Sequence, residues 1–325
     1  MSSERPLIQA GNKLSSESPK LCPICGFGAP VLRLRAPDRF HLRGQVFELV
    51  QCRACFLVWL DDPPSPEEMP YHYGSSYHRT ITASGERDLD RRWKEPKEAV
   101  SRLSGGGALL DVGCSSGSFL RTMKAGPWQL YGIEISPEEA HRAEAASGAQ
   151  VFVGDVLGAP FSPNSFDVIT GLHILEHVYN PREVISRIWK LLKPGGVFYM
   201  LCPNIDAIEA SMFGSYWYCL ELPRHLYHFS PRSLAHLFTY DGFDKVVLRT
   251  IPNCYVERSM YYITSDVLAR FGLSRPPLAE ASSTASLPWR VVRKAMRLSV
   301  LWPYRQLAAV VGRGPVIEAA FRKRR

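Results

Sequence analysis

The sequence predicts an α/β protein built on a mostly parallel sheet, and three observations predict it. From residue 108 onward, short apolar runs alternate with helix-like segments, the pattern of repeated strand–helix–strand units. The first unit, LLDVGCSSGSFL at 109–120, places a tight turn of small residues (Gly113, Ser115, Gly117) between its strand and its helix. Polar groups (Asp111, Glu134, Asp155, His173) then fall near the carboxyl ends of successive strands, the edge where an open sheet of this class binds ligands.

In chain order, residues 1–20 are polar and Ser-rich, without the apolar stretch of a signal peptide, and are expected to be a disordered lead-in. Residues 21–60 carry Cys22-Pro-Ile-Cys25 and Cys52-Arg-Ala-Cys55, with 26 residues between the pairs. Two such knuckles supply the four thiolates of a tetrahedral structural Zn2+ site, which leaves no open position and so serves folding rather than catalysis. Gly26 eases the first knuckle, while Phe56 stands where a second glycine is expected. Cys114, Cys202, Cys219 and Cys254 are scattered and read as small core hydrophobes. Residues 61–104 form a linker and helical cap: Pro63-Pro64, YHYGSSYH at 71–78, then a charged helical stretch from Glu86 to Arg102. Tyr71, Tyr73, Tyr77 and His78 suit either a cofactor cap or packing between modules.

The core is expected over 105–250. ALLDVG is its first strand and SFLRTMKAG the following helix; QLYGIEIS (129–136) is the second strand. Ser136-Pro137 is a good N-cap and first-turn pair for a helix over 137–147. AQVFVGD (149–155) and FDVITGLH (166–173) are the third and fourth strands. Asn180-Pro181 opens a helix ending near Lys193-Pro194-Gly195-Gly196, VFYMLCP (197–203) is the fifth strand and GFDKVVLRT (242–250) the sixth.

The chemistry starts at the glycine turn. In a dinucleotide fingerprint the acid follows the glycines by about 20 residues; here Asp111 precedes them. An early carboxylate suits a ligand with a positive end, such as an amino group beside a sulfonium, which favours S-adenosylmethionine. Glu134, 23 residues on, is spaced to hold ribose hydroxyls, and Asp155 could accept from an adenine amino group.

LLDVGCSSGSFL, GIEIS, GDVLGAPFSPNSFDVI, HILEHV and LKPGG, in this order, resemble the successive motifs of class I S-adenosylmethionine-dependent methyltransferases. With CPICG…QCRACFLVW upstream and LPRHLYHFSPRSL downstream, the chain resembles a bacterial branch with an N-terminal four-cysteine zinc knuckle. The likeness covers roughly residues 21–250. It implies a Rossmann-like seven-stranded sheet with a small zinc ribbon, its last strand antiparallel; VIEAAFRK (316–323) within 314–325 fits that strand, leaving 251–313 as a helical insertion. It implies cofactor contacts from Asp111, Gly113, Ser115, Gly117, Glu134, Ile135, Asp155, Val156 and His173. Ser115 departs from the family's usual glycine, so its side chain would hydrogen-bond to the cofactor or crowd it.

Methyl transfer needs alignment of the nucleophile and removal of its proton. His173 and His177, with Glu176 between them, are candidate bases; His225 and His228 form a second set on an aromatic-rich segment (212–229) expected to act as a lid. The expected acceptor is a small molecule, a sugar, or a lipid- or glycan-linked group. Methylation of RNA or other nucleic acid is the weaker alternative. The knuckle region is nearly neutral, no Asn/Asp-Pro-Pro-Tyr follows the fourth strand, and Cys202-Pro203 reverses the order of the cytosine-methylating nucleophile. A catalytically inactive binding protein is disfavoured by the intact acids.

Charge is uneven. Residues 251–325 hold 13 Lys/Arg against 4 Asp/Glu, a net +9 within a chain total of +8. Arg290, Arg293, Lys294 and Arg297 share a helical face, so residues 287–312 are expected to touch an anionic membrane. With no apolar run of the ~18–20 residues needed to span a bilayer, the expected location is cytoplasmic, peripheral to the inner membrane face.

Overall fold

The computed structural model describes residues 20–39, 45–73, 86–239, 242–273 and 295–325. The chain builds β1 (Val31–Pro37), β2 (Val46–Gln51), β3 (Val58–Leu60), α1 (Glu86–Leu103), β4 (Gly107–Val112), α2 (Ser118–Met123), β5 (Trp128–Glu134), α3 (Pro137–Ser147), β6 (Gln150–Val153) and β7 (Phe166–Leu172). It continues with α4 (Pro181–Leu191), β8 (Leu192–Pro203), α5 (Ile208–Phe213), β9 (Tyr227–His228), α6 (Pro231–Leu237), β10 (Phe243–Ile251), α7 (Val256–Arg270), α8 (Trp302–Val310) and β11 (Val316–Lys323).

Seven strands form the main sheet, in the order β6-β5-β4-β7-β8-β11-β10. β11 is antiparallel to both its neighbours, and the β6–β5–β4–β7–β8 pairings are parallel. The expected Rossmann-like sheet with an antiparallel last strand is therefore present. The sheet is covered on both sides, which is why its strands read as near-continuous apolar runs. Leu109, Val168, Val197, Tyr199 and Leu201 belong to one apolar cluster, and the alternate residues Leu110, Ile169, Phe198 and Met200 to the other. β11 is buried almost throughout. Its one central acid is satisfied from both neighbouring strands: Glu318 accepts from the Tyr199 hydroxyl (3.0 Å) and from Arg249 Nε (2.6 Å).

The helices begin and end where their caps dictate. The Ser136 side chain accepts from the Glu139 amide, Pro137 fills the first turn, and Gly148 ends α3 in the left-handed region. Asn180 caps α4, which buries Val184, Ile185, Ile188 and Leu191 along one stripe. The helix expected to end near Lys193-Pro194-Gly195-Gly196 stops at Leu191, and the fifth strand, expected from residue 197, begins earlier, so that these four residues already belong to β8. The chain passes so close to β7 there that a Cβ on Gly196 would lie 3.1 Å from the Phe166 carbonyl oxygen.

A second, antiparallel sheet has the order β1-β2-β3-β9. Its fourth strand comes from far along the chain: Val58 pairs with His228 and Trp59 with Tyr227, and the Leu60 amide donates to the Leu226 carbonyl at 2.9 Å. The C-terminal end of the segment expected to act as a lid, Leu226–His228, thus joins the knuckle module's sheet, and residues 222–230 are all buried. Of the basic face, Trp289, Arg290, Val292, Arg293 and Lys294 lie outside the described residues, as do Tyr77, His78 and residues 1–19; Arg297 pairs with Glu257 of α7 (2.7 Å). No helix among the described residues is long and apolar enough to cross a membrane.

Candidate active site

The four sulfurs of Cys22, Cys25, Cys52 and Cys55 lie within 4.8 Å of one another, with Cys22–Cys55 and Cys25–Cys52 each at 3.5 Å. Zn–S bonds of about 2.3 Å require sulfur–sulfur edges of roughly 3.8 Å in a tetrahedron, so the set fits a structural zinc. The two knuckles are near copies. The Cys22 amide donates to the Phe27 carbonyl and the Cys52 amide to that of Leu57, both at 2.9 Å. Gly26 has φ 73° and Phe56 φ 65°, so the phenylalanine adopts the backbone geometry of the missing glycine. A left-handed non-glycine residue costs roughly 1–2 kcal/mol. The Arg232 guanidinium, 3.9 Å above the Phe56 ring, offsets part of that cost.

On the main sheet, Asp155, Glu134, Asp111 and His173 stand at the carboxyl ends of β6, β5, β4 and β7, four adjacent strands: Asp111 and Glu134 within the last two residues of theirs, Asp155 and His173 just beyond. Asp111 is buried, and its Oδ1 accepts from the Thr170 hydroxyl at 2.6 Å. Burial pushes its carboxyl up to about 7, the neighbouring Glu134 charge adds to the rise, and the Thr170 hydrogen bond opposes it. A carboxyl so placed gains from a cationic partner. Gly113, Ser115 and Gly117 all have positive φ (71°, 47°, 73°). Gly117 is required by packing, since a Cβ there would sit 2.7 Å from Ala143 Cα on α3. The Ser115 amide donates to Glu134 Oε2 and the Ser136 amide to Oε1, both at 2.9 Å. Glu134 thus clasps the glycine turn to the start of α3.

Ile135 is 76% exposed, an open apolar surface beside Glu134. Asp155 is exposed and its Oδ1 accepts from the Gly158 amide at 2.7 Å. Val156 is buried, with its loop held by Arg187, which donates to the Ala159 and Phe161 carbonyls at 2.6 and 3.0 Å. A buried acid, a second acid beside an exposed apolar side chain and a turn of left-handed residues fit a nucleoside ligand with a positive end. An open cleft of about 800 Å³ lies at the opposite, amino end of the strands, beside Gly107, Trp128 and Asp167. It contains none of these groups, and the carboxyl edge is where sheets of this class bind ligands.

Beyond Asp111, the histidines gather. His173 has φ 62°, and its Nδ1 lies 3.3 Å from Glu176 Oε1; its side chain is 22% exposed, that of Glu176 only 1%. Burial would raise the Glu176 carboxyl, but the His173 hydrogen bond and the nearby His173, His177 and His225 imidazoles outweigh it and hold the group below its ordinary value. His177 Nδ1 lies 3.0 Å from both the Tyr73 hydroxyl and the Arg224 carbonyl. The His177 and His225 rings meet edge to face at 4.6 Å. Burial drives His225 well below the usual imidazole range, helped by His177, and pushes His228 down to about 3. His228 is therefore a neutral, buried side chain, which suits packing rather than proton transfer. Tyr71 is 68% exposed, so Tyr73 is the tyrosine of the pair placed at the histidines.

Sequence reasoning missed what joins these pieces. Arg224 is wholly buried; its Nη1 donates to the His72 carbonyl (3.1 Å), and it pairs with Asp38 (3.6 Å) and Glu221 (3.5 Å). Its signal was present: one arginine in the apolar and aromatic run around Leu220–Phe229 has to be paired if it is buried.

The family model described as "Methyltransferase domain" matches residues 86–248. Among curated proteins, the chain is 26% identical over 159 residues to a ubiquinone biosynthesis O-methyltransferase of Burkholderia thailandensis, covering 45% of this chain and 68% of that one. It is 32% identical over 134 residues to the protein of the same name from Xanthomonas euvesicatoria, covering 38% of this chain and 55% of the relative. Two solved structures share the fold at a TM-score of 0.50. A SAM-dependent methyltransferase from Archaeoglobus fulgidus is 18% identical, covering 75% of this chain and 97% of that one. Phosphoethanolamine N-methyltransferase 2 of Haemonchus contortus, solved with S-adenosyl-L-methionine, is 17% identical, covering 79% and 60%. With half its length matched by that model, and with the sheet order and carboxyl-edge acids in place, the chain belongs to the methyltransferase-domain family and is a class I S-adenosylmethionine-dependent methyltransferase.

Proposed function

We propose that this enzyme methylates a hydroxyl group of a small-molecule, sugar or lipid-linked acceptor, with His173 as general base. The observation that carries the reading is the His173–Glu176 pair after β7: a left-handed histidine, partly open to solvent, held at Nδ1 by a buried carboxylate. Backbone strain of this kind, of order 1–3 kcal/mol, gathers at functional sites. S-adenosylmethionine supplies an electrophilic methyl on a positively charged sulfur. Asp111, Glu134, Ile135 and Asp155, with the Gly113–Gly117 turn, would hold it at the carboxyl edge. With Nδ1–H donated to Glu176, His173 Nε2 keeps a lone pair and takes the acceptor's proton, while the Glu176 carboxylate stabilises the resulting imidazolium. General-base assistance of this kind contributes about 10²–10⁴-fold. The O-methyltransferase names of the two bacterial relatives support a hydroxyl acceptor. In a His173→Gln enzyme, kcat is expected to fall at least 100-fold with cofactor affinity retained. A fall of less than threefold would remove His173 from the role.

Zn2+ in the four-cysteine site is the second part of the reading, supported by the sulfur geometry and the duplicated knuckle turn, and with it membership of a bacterial branch bearing such a knuckle. Cys52→Ser is expected to lose that zinc equivalent in elemental analysis. The third part is contact with an anionic membrane through residues 287–312. Leu298, Val300, Trp302, Leu307 and Val310 are 55–84% exposed, in the quarter of the chain that carries +9. β11 follows this segment and fills the sheet, so a truncation would unfold the core. The test is Leu307→Asp with Val310→Asp, which should release the protein from anionic vesicles in co-sedimentation; unchanged binding would refute the contact.

A further inference from the structure

Proton removal by His173 uses one oxygen of Glu176 and leaves the rest of the cluster unexplained. Glu176, His177 and His225 each offer a donor atom, and the three atoms lie within 4.8 Å of one another. Glu176 Oε1 meets His173, while Oε2 is buried without a hydrogen-bond partner among the described residues. An uncompensated buried carboxylate oxygen costs a few kcal/mol, and a cation at that point removes the cost.

The imidazoles are prepared for the same cation. His177 Nδ1 lies 3.0 Å from the Arg224 carbonyl oxygen and His225 Nδ1 lies 2.9 Å from that of Cys219. A carbonyl only accepts, so the His225 Nδ1 carries the proton and its Nε2 keeps the lone pair; His177 takes the same tautomer when its Nδ1 donates to the Arg224 carbonyl, with the Tyr73 hydroxyl oxygen, also 3.0 Å away, as a second acceptor. A backbone carbonyl that fixes the distal nitrogen is the usual outer support of a metal-bound histidine. Glu221, with Oε2 3.6 Å from His225 Nε2, stands nearby as a further oxygen donor.

We propose that Glu176, His177 and His225 form a second metal site, for a divalent cation of the manganese-to-zinc series, on the acceptor side of the active site. Two imidazoles and one carboxylate, with no thiolate among them, suit such ions and leave coordination positions open. The site rests on geometry; its role rests on the hydroxyl-transfer reading above. A cation there lowers the pKa of an acceptor hydroxyl that coordinates it. The O–H bond breaks with its proton passing to His173, the oxygen forms a bond to the methyl carbon, and the carbon–sulfur bond breaks with its electron pair left on sulfur.

The probe is Mn2+ alone, added to the full-length protein and followed by electron paramagnetic resonance and equilibrium dialysis. Manganese prefers nitrogen and oxygen donors over thiolates, so the four-cysteine site does not report. One equivalent is expected to bind, with affinity at least 10-fold weaker in Glu176→Gln and in His225→Asn and unchanged in Cys52→Ser. Retained S-adenosylmethionine binding by calorimetry identifies variants that are folded; if Glu176→Gln fails that control, His177→Gln replaces it. Absence of stoichiometric binding, or binding unchanged in the folded variants, overturns the proposal. Manganese binding without transfer to any hydroxyl acceptor would leave the site standing and refute its role. Loss of activity in His173→Gln in a protein that binds no manganese would refute the metal site and leave His173 standing as the general base.

Discussion

The cofactor edge and the histidine edge of the active site adjoin but are built on opposite plans. The cofactor edge is nearly local: Asp111, the Gly113–Gly117 turn, Glu134, Ser136 and Asp155 span fewer than fifty residues, contacts such as Ser115 and Ser136 to Glu134 close within that span, and the supports from outside it, Thr170 and Arg187, come from the next two elements, β7 and α4. The histidine edge is assembled from distant pieces: Asp38, His72 and Tyr73, then His173 to His177, then Cys219 to His228. A local site survives changes elsewhere as long as its strands form. An assembled site depends on every contact that brings its parts together, and here the deepest of those is Arg224.

The widest separation of the two edges should come from chemistry. Asp111→Asn is expected to weaken S-adenosylmethionine binding at least 10-fold in calorimetry, whereas His173→Gln lowers kcat at least 100-fold and leaves that binding alone; the same pattern in both would end the distinction. Next in size is stability. Arg224→Leu leaves the buried Asp38 carboxylate beside an apolar side chain and takes a partner from the half-buried Glu221, and breaking a buried ion pair costs about 3–5 kcal/mol. A urea-unfolding midpoint within error of the parent would show that the histidine edge does not hang on this residue.

A smaller effect comes from pH. The Asp111 carboxyl is raised to about 7 in the folded protein, so its contribution to stability is fully present below the ordinary carboxylate range near 4 and is lost as pH rises through about 7. Cofactor binding, which favours the ionised acid, should strengthen over the same interval and release a proton. Calorimetry at pH 6 in buffers of differing ionisation enthalpy checks this, and no proton release would count against it. The smallest change is Ser115→Gly, expected to stabilise the protein by up to about 1 kcal/mol by relieving φ 47°, with cofactor affinity unchanged because the backbone amide makes the contact to Glu134.

These two plans also explain what could be read in advance. α3 was legible to the residue because Ser136, Pro137 and Gly148 write its ends locally, and β11 was legible because VIEAAFRK alternates where the family resemblance implied a last strand. β9 was not. Two residues carry no periodicity, and their partners, Val58 and Trp59, lie about 170 residues earlier in the chain. Phe56 was misleading for a related reason: the left-handed turn it occupies is supported by Arg232 from another part of the fold. His173 and Glu176 were visible as a motif, but the Arg224 carbonyl and the Tyr73 hydroxyl that meet His177 come from parts of the chain that only the tertiary fold brings near.

β9 has two edges. One pairs with the ribbon strand β3; just beside it, the Leu226 and Tyr227 amides both donate to the Glu176 carbonyl, at 2.8 and 3.2 Å. A transplant of residues 21–60 from a relative would therefore be a graft onto the acceptor wall, and such chimeras should change which molecule is methylated before they change whether the donor is bound.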